Sequence, residues 1–94
     1  MRKHVVAGNW KMNNDIPQTE ALIQDLKKYT KTSEVEVMIA PSATSLWYAS
    51  ELLKGSDIEV IAQNMHFAEN GAFTGEISAS MLKSVGVKTV ILGH

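Results

Sequence analysis

The sequence predicts an α/β fold, in which parallel strands alternate with helices in the order β-α-β-α-β-α-β and are wound as in a barrel. Four short apolar runs begin near positions 4, 34, 58 and 88, and a helical pattern separates each run from the next. This spacing is typical of parallel strands joined by right-handed crossovers, which place consecutive strands side by side. A doubly wound sheet is less favoured, because it often carries a glycine-rich phosphate loop after the first strand, which Gly8 alone does not supply.

Composition limits the chain to one small globular unit. Of its 94 residues, 45% are hydrophobic, and the formal net charge is -1. A charge so close to zero gives no electrostatic footprint for nucleic acid or anionic membranes, and no apolar run approaches the length needed to cross a bilayer. The chain has no cysteine, which excludes disulfides and fits a reducing compartment. We therefore expect a soluble, cytoplasmic protein that binds neither nucleic acid nor membrane.

Local signals predict the first strand and the first helix. A short apolar run at 4–7 predicts the strand. Asp15 and Gln18, three residues apart, form a capping box that starts the helix, and Pro17 is tolerated in its first turn. The helix is expected to end near Tyr29. Its apolar face, spaced i, i+4 and i+7, is expected to consist of Leu22, Leu26 and Tyr29.

The middle of the chain predicts a strand, a short helix and another strand. Apolar residues alternate over 35–39 before Pro41 halts the pattern, which indicates the second strand. Ser42 and Thr44 supply capping hydroxyls for the second helix. A mostly apolar run at 58–62 is typical of a third strand that is covered on both faces.

The remaining residues predict a long loop, a third helix and a fourth strand. The loop from Met65 to Ile77 has no clean period, and loops of this length in compact chains are usually functional or disordered. Its two phenylalanines argue against disorder. Ser78 is expected to cap the third helix, and 88–92 to form a fourth strand that leads to His94.

Four short motifs stand out along the chain: AGNWKMN at 7–13, AQN at 62–64, NGAFTGEIS at 70–78 and VILGH at 90–94. Together and in this order they resemble the triosephosphate isomerase family. The resemblance covers the whole chain, but only the first part of that family's barrel, which is typically about 250 residues long. It implies that residues 1–94 form the amino-terminal part of a single (β/α)8 barrel domain.

The resemblance implies an intramolecular isomerase of glycolysis and gluconeogenesis, which interconverts dihydroxyacetone phosphate and D-glyceraldehyde 3-phosphate through an enediolate. Asn9 and Lys11 match the family's first-loop pair, in which the amide helps to place the lysine and both contribute to substrate binding. The Lys11 ammonium would bind the phosphate side of the substrate and stabilise the oxyanion. His94 matches the histidine that polarises the substrate carbonyl, so Lys11 and His94 are the expected catalytic residues. Neither a cofactor nor a metal takes part.

A homodimer is the second implication of the resemblance. The loop from Met65 to Ile77 matches one that enters a pocket of the partner subunit. Thr74 and Glu76 match residues that reach across the interface, beside the partner's first loop near Met12. The catalytic glutamate, the mobile lid and the phosphate-binding amides of that family follow later strands of the barrel. We therefore expect the 94 residues alone to be inactive.

The residues themselves leave two other functions open. The chain could be a non-catalytic half-barrel that acts in assembly, with Lys11 as a solvated surface lysine. Lys11 could instead be a Schiff-base nucleophile of an aldolase on a similar barrel. The polar neighbours Asn9, Asn13 and Asn14 weaken the second alternative, because burial in apolar surroundings is what activates such a lysine.

The other titratable groups are interpreted as structural. His4, His66 and His94 share no metal-ligand spacing, so His4 and His66 are expected to be surface or strand-end residues. Glu69 and Glu76 fall in a loop, where carboxylates are usually solvated. We expect no metal site.

Overall fold

A computed structural model describes residues 4–28 and 35–93, which form three strands, three helices and one 3₁₀ turn. In chain order these are β1 (His4–Asn9), α1 (Ile16–Leu26), β2 (Val35–Ala40), the 3₁₀ turn (Ala43–Ser45), α2 (Leu46–Leu52), β3 (Ile58–Val60) and α3 (Ala79–Ser84). The strands form one parallel sheet in the order β1-β2-β3, as predicted. None of the helices in these two segments is long and apolar enough to cross a membrane.

The register of the sheet brings the carboxyl ends of its strands to one edge. Asn9, the last residue of β1, lies opposite Ala40, the last residue of β2. Ile39 lies opposite Val60, the last residue of β3. The loops that follow the strands therefore start close together, which is the arrangement that builds sites in parallel α/β folds.

Two of the helices begin at the caps that the sequence predicts. The Asp15 carboxylate accepts a hydrogen bond from the N–H of Gln18 at 2.9 Å, and the Gln18 side chain accepts one from the N–H of Asp15 at 2.9 Å. The Ser78 hydroxyl accepts one from the backbone N–H three residues later at 3.3 Å. The caps predicted for α2 are wrong. The hydroxyls of Ser42 and Thr44 lie 3.3 Å apart and bond each other, and the chain makes the 3₁₀ turn before α2 begins.

The buried face of α1 differs by one position from the predicted one. Ile23 and Thr19 are both 0% exposed, whereas Leu22 is 36% exposed. Leu26 packs against the core, so the buried row is Thr19, Ile23 and Leu26. The Thr19 hydroxyl hydrogen-bonds the 3₁₀ turn in the interior, which turns this row inward in place of Leu22. The helix ends at Leu26, and Tyr29 lies outside the described residues.

A single contact replaces the predicted fourth strand. Val90 forms an isolated parallel bridge with Ala62. Ala62 donates to and accepts from the backbone on the two sides of Val90, both at 2.9 Å. Because β3 already ends at Val60, only Ala62 beyond it stays in register with 88–92. The direction and the neighbour of this segment are as predicted, but its length as a strand is not.

The hydrophobic core lies between the sheet and the helices. Its buried cluster is formed by Ile23, Ile39, Leu46, Ala49, Leu53, Ile58, Val60, Ala62, Leu82 and Val87. Burial of one large aliphatic side chain contributes about 1.5–3 kcal/mol, so this cluster dominates the stability of the described part. Trp10 packs against the cluster from the loop after β1. The core thereby anchors the loop that carries Lys11.

Candidate active site

Lys11 lies in the loop that follows β1, with its backbone in an unusual conformation. Its φ is +56°, in the left-handed region that costs a residue other than glycine roughly 1–2 kcal/mol. Such strain persists only where the surroundings hold it, and it often marks functional positions. The N–H of Lys11 donates to Oδ1 of Asn9 at 2.9 Å, so the side chain of Asn9 restrains the backbone of Lys11.

A second restraint on Lys11 comes from Gln63, to which sequence reasoning gave no role. Its Nε2 donates to the carbonyl oxygen of Lys11 at 2.9 Å and to that of Ala40 at 2.7 Å. The N–H of Trp10 also donates to the Ala40 oxygen, at 3.1 Å. One side-chain amide thus joins the ends of all three strands. The motif AQN at 62–64 was the signal in the sequence that could have found it.

The side chain of Lys11 is exposed above this network. In the described part of the chain, no carboxylate pairs with its ammonium. The loop around it curls back on itself, because Asn13 Nδ2 donates to the Trp10 oxygen at 2.7 Å and Asn14 has a φ of +73°. A compact cation that is fixed at its backbone and free at its head is suited to binding an anionic ligand group.

His94 lies outside the described residues, so its approach to Lys11 remains a prediction. The segment before it is described. The bridge between Val90 and Ala62 places that segment alongside β3, running in the same direction. Residues 91–93 therefore head toward the edge of the sheet that carries Lys11.

The 65–77 loop has no regular secondary structure, as predicted, but it is closed at its neck. The N–H of His66 donates to the oxygen of Ile77 at 2.7 Å, which joins the two ends of the loop. Thr74 is exposed near its tip, and Phe67 is 87% exposed. Met12, on the separate loop after β1, is 94% exposed. The three residues expected at a dimer interface are thus exposed on loops: Met12, Thr74 and Glu76.

At the neck of the loop, the Glu76 carboxylate is shared by two side chains. Its Oε1 accepts from Asn64 Nδ2 at 3.2 Å and lies 3.9 Å from Nδ1 of His66. The His66 ring packs on Phe73 and Phe67, with centroid distances of 4.2 and 4.5 Å. Its Nε2 is buried and has no hydrogen-bond partner among the described residues. His66, expected at the surface or at a strand end, is thus only partly at the surface, with 20% of its side chain exposed.

Among the described residues, one group outside the Lys11 loop has a clearly perturbed pKa. A hydrogen bond with Glu20 raises the pKa of Tyr48, and partial desolvation and the negative charge of Glu20 raise it further. This pair joins α1 to α2, on the helical side of the sheet. Within 4–28 and 35–93, no group of three or more histidine, aspartate or glutamate residues could hold a metal ion.

Comparison with known proteins decides the family. The family model described as triosephosphate isomerase matches residues 4–94. The chain belongs to the triosephosphate isomerase family. The triosephosphate isomerases of Clostridium acetobutylicum, Flavobacterium psychrophilum and Flavobacterium johnsoniae are 53%, 55% and 54% identical to it, over 100% of this chain. The chain spans 38% of the length of each of these relatives.

Membership of the triosephosphate isomerase family confirms the predicted fold class, because the parallel strands that alternate with helices are part of a (β/α)8 barrel. In such barrels the active site lies at the carboxyl ends of the strands, in the loops that follow them. Asn9 is the last residue of β1, Lys11 lies in the loop after it, and Gln63 follows the end of β3. The network around Lys11 is therefore the candidate active site of this family member.

Proposed function

We propose that the whole protein is a triosephosphate isomerase, which interconverts dihydroxyacetone phosphate and D-glyceraldehyde 3-phosphate. Residues 1–94 would be the amino-terminal part of its single barrel domain. The observation that carries the proposal is Lys11, an exposed cation at the carboxyl edge of the sheet whose strained backbone is held by two amides. Membership of the family supports the choice of substrate.

In the proposed reaction, Lys11 stabilises the charge that develops on oxygen. Removal of a proton from C1 of dihydroxyacetone phosphate sends the electron pair toward the C2 carbonyl, whose oxygen becomes negative in the enediolate. A positive group fixed beside that oxygen lowers the barrier most, because it needs no reorganisation during the step. The bonds from Asn9 and Gln63 fix the backbone from which the ammonium projects. The same ammonium would balance the charge of the substrate phosphate.

His94 would supply the second electrophile, at the substrate carbonyl, from the segment that follows Val90. Transfer of a proton from the C1 hydroxyl to the C2 oxygen, and return of the abstracted proton to C2, then give the aldehyde and complete the isomerisation. The resemblance to the family implies that the base comes from a later strand of the barrel. Proton transfers alone accomplish this reaction, so the proposal requires no cofactor and no metal.

The proposed protein is a cytoplasmic homodimer that assembles through the 65–77 loop. Met12 and Phe67 are 94% and 87% exposed, which is a large exposure for apolar side chains that lie on loops at the site. Clusters of exposed apolar side chains commonly mark interaction surfaces. Thr74 and Glu76 would make the polar contacts to the partner. The net charge of -1 gives no reason to expect nucleic acid or a membrane as a partner.

Replacement of Lys11 by methionine in the full-length protein tests the proposal. Loss of a fixed oxyanion-stabilising group costs about 10²–10³-fold or more in turnover. We expect Lys11→Met to show at least this loss in a coupled assay with dihydroxyacetone phosphate, with an unchanged unfolding midpoint. Lys11→Arg should also fail, because a planar guanidinium does not replace a compact charge.

Lys28→Met is the matched control, because Lys28 is exposed and its pair with Asp25, at 3.9 Å, is a surface contact of little energy. Full activity of Lys11→Met would refute the role of Lys11. Trapping of the lysine by borohydride in the presence of a carbonyl substrate would instead support the Schiff-base alternative.

A further inference from the structure

The neck of the 65–77 loop holds an imidazole and a carboxylate that face each other without a bond between them. The distance from His66 Nδ1 to Glu76 Oε1 is 3.9 Å, which is too long for a hydrogen bond. We propose that protonation of His66 turns this contact into an internal ion pair, which withdraws Glu76 from the partner subunit and weakens the dimer at acidic pH. The inference rests on the proposed homodimer.

The first support is distance. Hydrogen bonds between a cationic N–H and a carboxylate are about 2.7–2.9 Å long, so a movement of about 1 Å closes the contact between His66 and Glu76. The competing donor is Asn64, whose Nδ2 is 3.2 Å from the same oxygen of Glu76. A neutral amide is a weaker donor to a carboxylate than an imidazolium. Glu76 should therefore move toward His66 once the ring carries a charge.

The second support is the surroundings of the ring. Phe67 and Phe73 lie at centroid distances of 4.5 and 4.2 Å, within the range of about 6 Å in which an aromatic face attracts a cation. A cavity of about 180 Å³ beside the ring is lined by two carboxylates, those of Glu69 and Glu76, and by no lysine or arginine. The charges that face His66 across this cavity are therefore negative, and imidazoles commonly change charge between about pH 5 and 8.

One contribution opposes the protonation of His66: its Nε2 is buried without a hydrogen-bond partner among the described residues. In the imidazolium this nitrogen also carries a proton, so the attraction of Glu76 has to outweigh the cost of a buried N–H without an acceptor. The backbone of His66 is fixed by the 2.7 Å bond from its N–H to the oxygen of Ile77. The neck thus stays closed while the Glu76 side chain moves toward the ring.

The consequence for assembly follows from charge. As an interface residue, Glu76 contributes through a carboxylate that is available to the partner subunit. An imidazolium beside it neutralises that charge and holds the side chain inside its own subunit. Couplings of this kind typically change affinity by about 5–150-fold. Acidification from about pH 8 to about pH 5.5 spans the usual titration of histidine, and it should raise the dimer dissociation constant at least about fivefold.

Sedimentation of the full-length protein at these two pH values, at constant ionic strength, measures this constant. We expect the wild type to dissociate more readily at the lower pH, and His66→Asn to lose most of that pH dependence. Glu76→Gln should lose it as well, and it keeps the ring in place should His66→Asn fold poorly. His4→Asn is the matched control, because His4 is an exposed histidine on β1 and should leave the pH dependence unchanged.

The same variants separate failure of the ion pair from failure of the dimer. If the wild type sediments as a monomer at both pH values, the proposed homodimer is wrong. The ion pair between His66 and Glu76 is then tested by hydrogen exchange of the loop amides, corrected for the intrinsic rate. At acidic pH, this corrected exchange should be slower in the wild type than in His66→Asn. Equal pH dependence of the wild type and His66→Asn, in exchange and in dissociation, would overturn the inference.

Discussion

Gln63 holds the backbone of Lys11, so its truncation should loosen the candidate site without unfolding the barrel. Its Nε2 donates to two carbonyl oxygens, those of Lys11 at 2.9 Å and Ala40 at 2.7 Å. The Ala40 oxygen keeps a second donor, the N–H of Trp10, when the amide is removed. The Lys11 oxygen keeps no donor from the described residues, but Lys11 is exposed, and water can take the place of Gln63.

The expected cost follows from these partners. A typical hydrogen bond contributes about 1 kcal/mol net, so Gln63→Ala should lower the free energy of unfolding by about 1–2 kcal/mol. The strain of the left-handed backbone at Lys11 is of the same size, roughly 1–2 kcal/mol. Without Gln63, relaxed conformations of Lys11 therefore compete with the strained one. Since about 1.4 kcal/mol corresponds to a factor of ten in a population, kcat/KM should fall about tenfold.

Steady-state kinetics and urea unfolding of the full-length protein measure the two effects of Gln63→Ala. Gln63→Glu should lose as much activity, because an ionised carboxylate accepts hydrogen bonds but has no N–H to donate. Gln24→Ala is the control, since Gln24 is an exposed glutamine of α1. The reasoning is refuted if Gln63→Ala matches the control in both kcat/KM and stability.

Three further outcomes test the fold and its electrostatics. Asp15→Ala removes the capping box of α1 and should cost about 1 kcal/mol in urea unfolding. Ile23→Ala should cost about 2–5 kcal/mol and Leu22→Ala clearly less, because only Ile23 is fully buried. The raised pKa of Tyr48 means that its neutral form stabilises the fold below about pH 10 and that this contribution is lost at higher pH. Glu20→Gln should bring the pKa of Tyr48 back toward its ordinary value, as measured by absorbance titration.

Local signals sufficed where the stabilising bonds are short in sequence. The caps at Asp15 and Ser78 each join residues three positions apart, so the sequence around them contains both partners. The buried face of α1 was predicted one position out, because Ile23 and not Leu22 is buried, in a row with Thr19, whose hydroxyl hydrogen-bonds the 3₁₀ turn. A helical period defines a broad apolar stripe, and the tertiary partner selects its centre.

At the candidate site, too, only contacts between residues close in sequence could be predicted. The bond between Asn9 and the N–H of Lys11 spans two positions and belongs to one motif. Gln63 lies 52 positions from Lys11, so neither residue indicates the other until the sheet is assembled. The partial burial of the His66 side chain depends on Phe73, whose ring packs on it from a later position in the loop. Pattern reasoning had no information about either contact.

The order of the strands is what makes the contact between Gln63 and Lys11 possible. β2 lies between β1 and β3, and Gln63 reaches over its last residue, Ala40, to the loop after β1. A slip of one residue between β1 and β2 would move Ala40 away from Asn9 and turn alternate side chains to the other face. The strain at Lys11 would then lose its restraint. The parallel register, which the spacing of the apolar runs indicates only in outline, thus sets the position of the proposed catalytic cation.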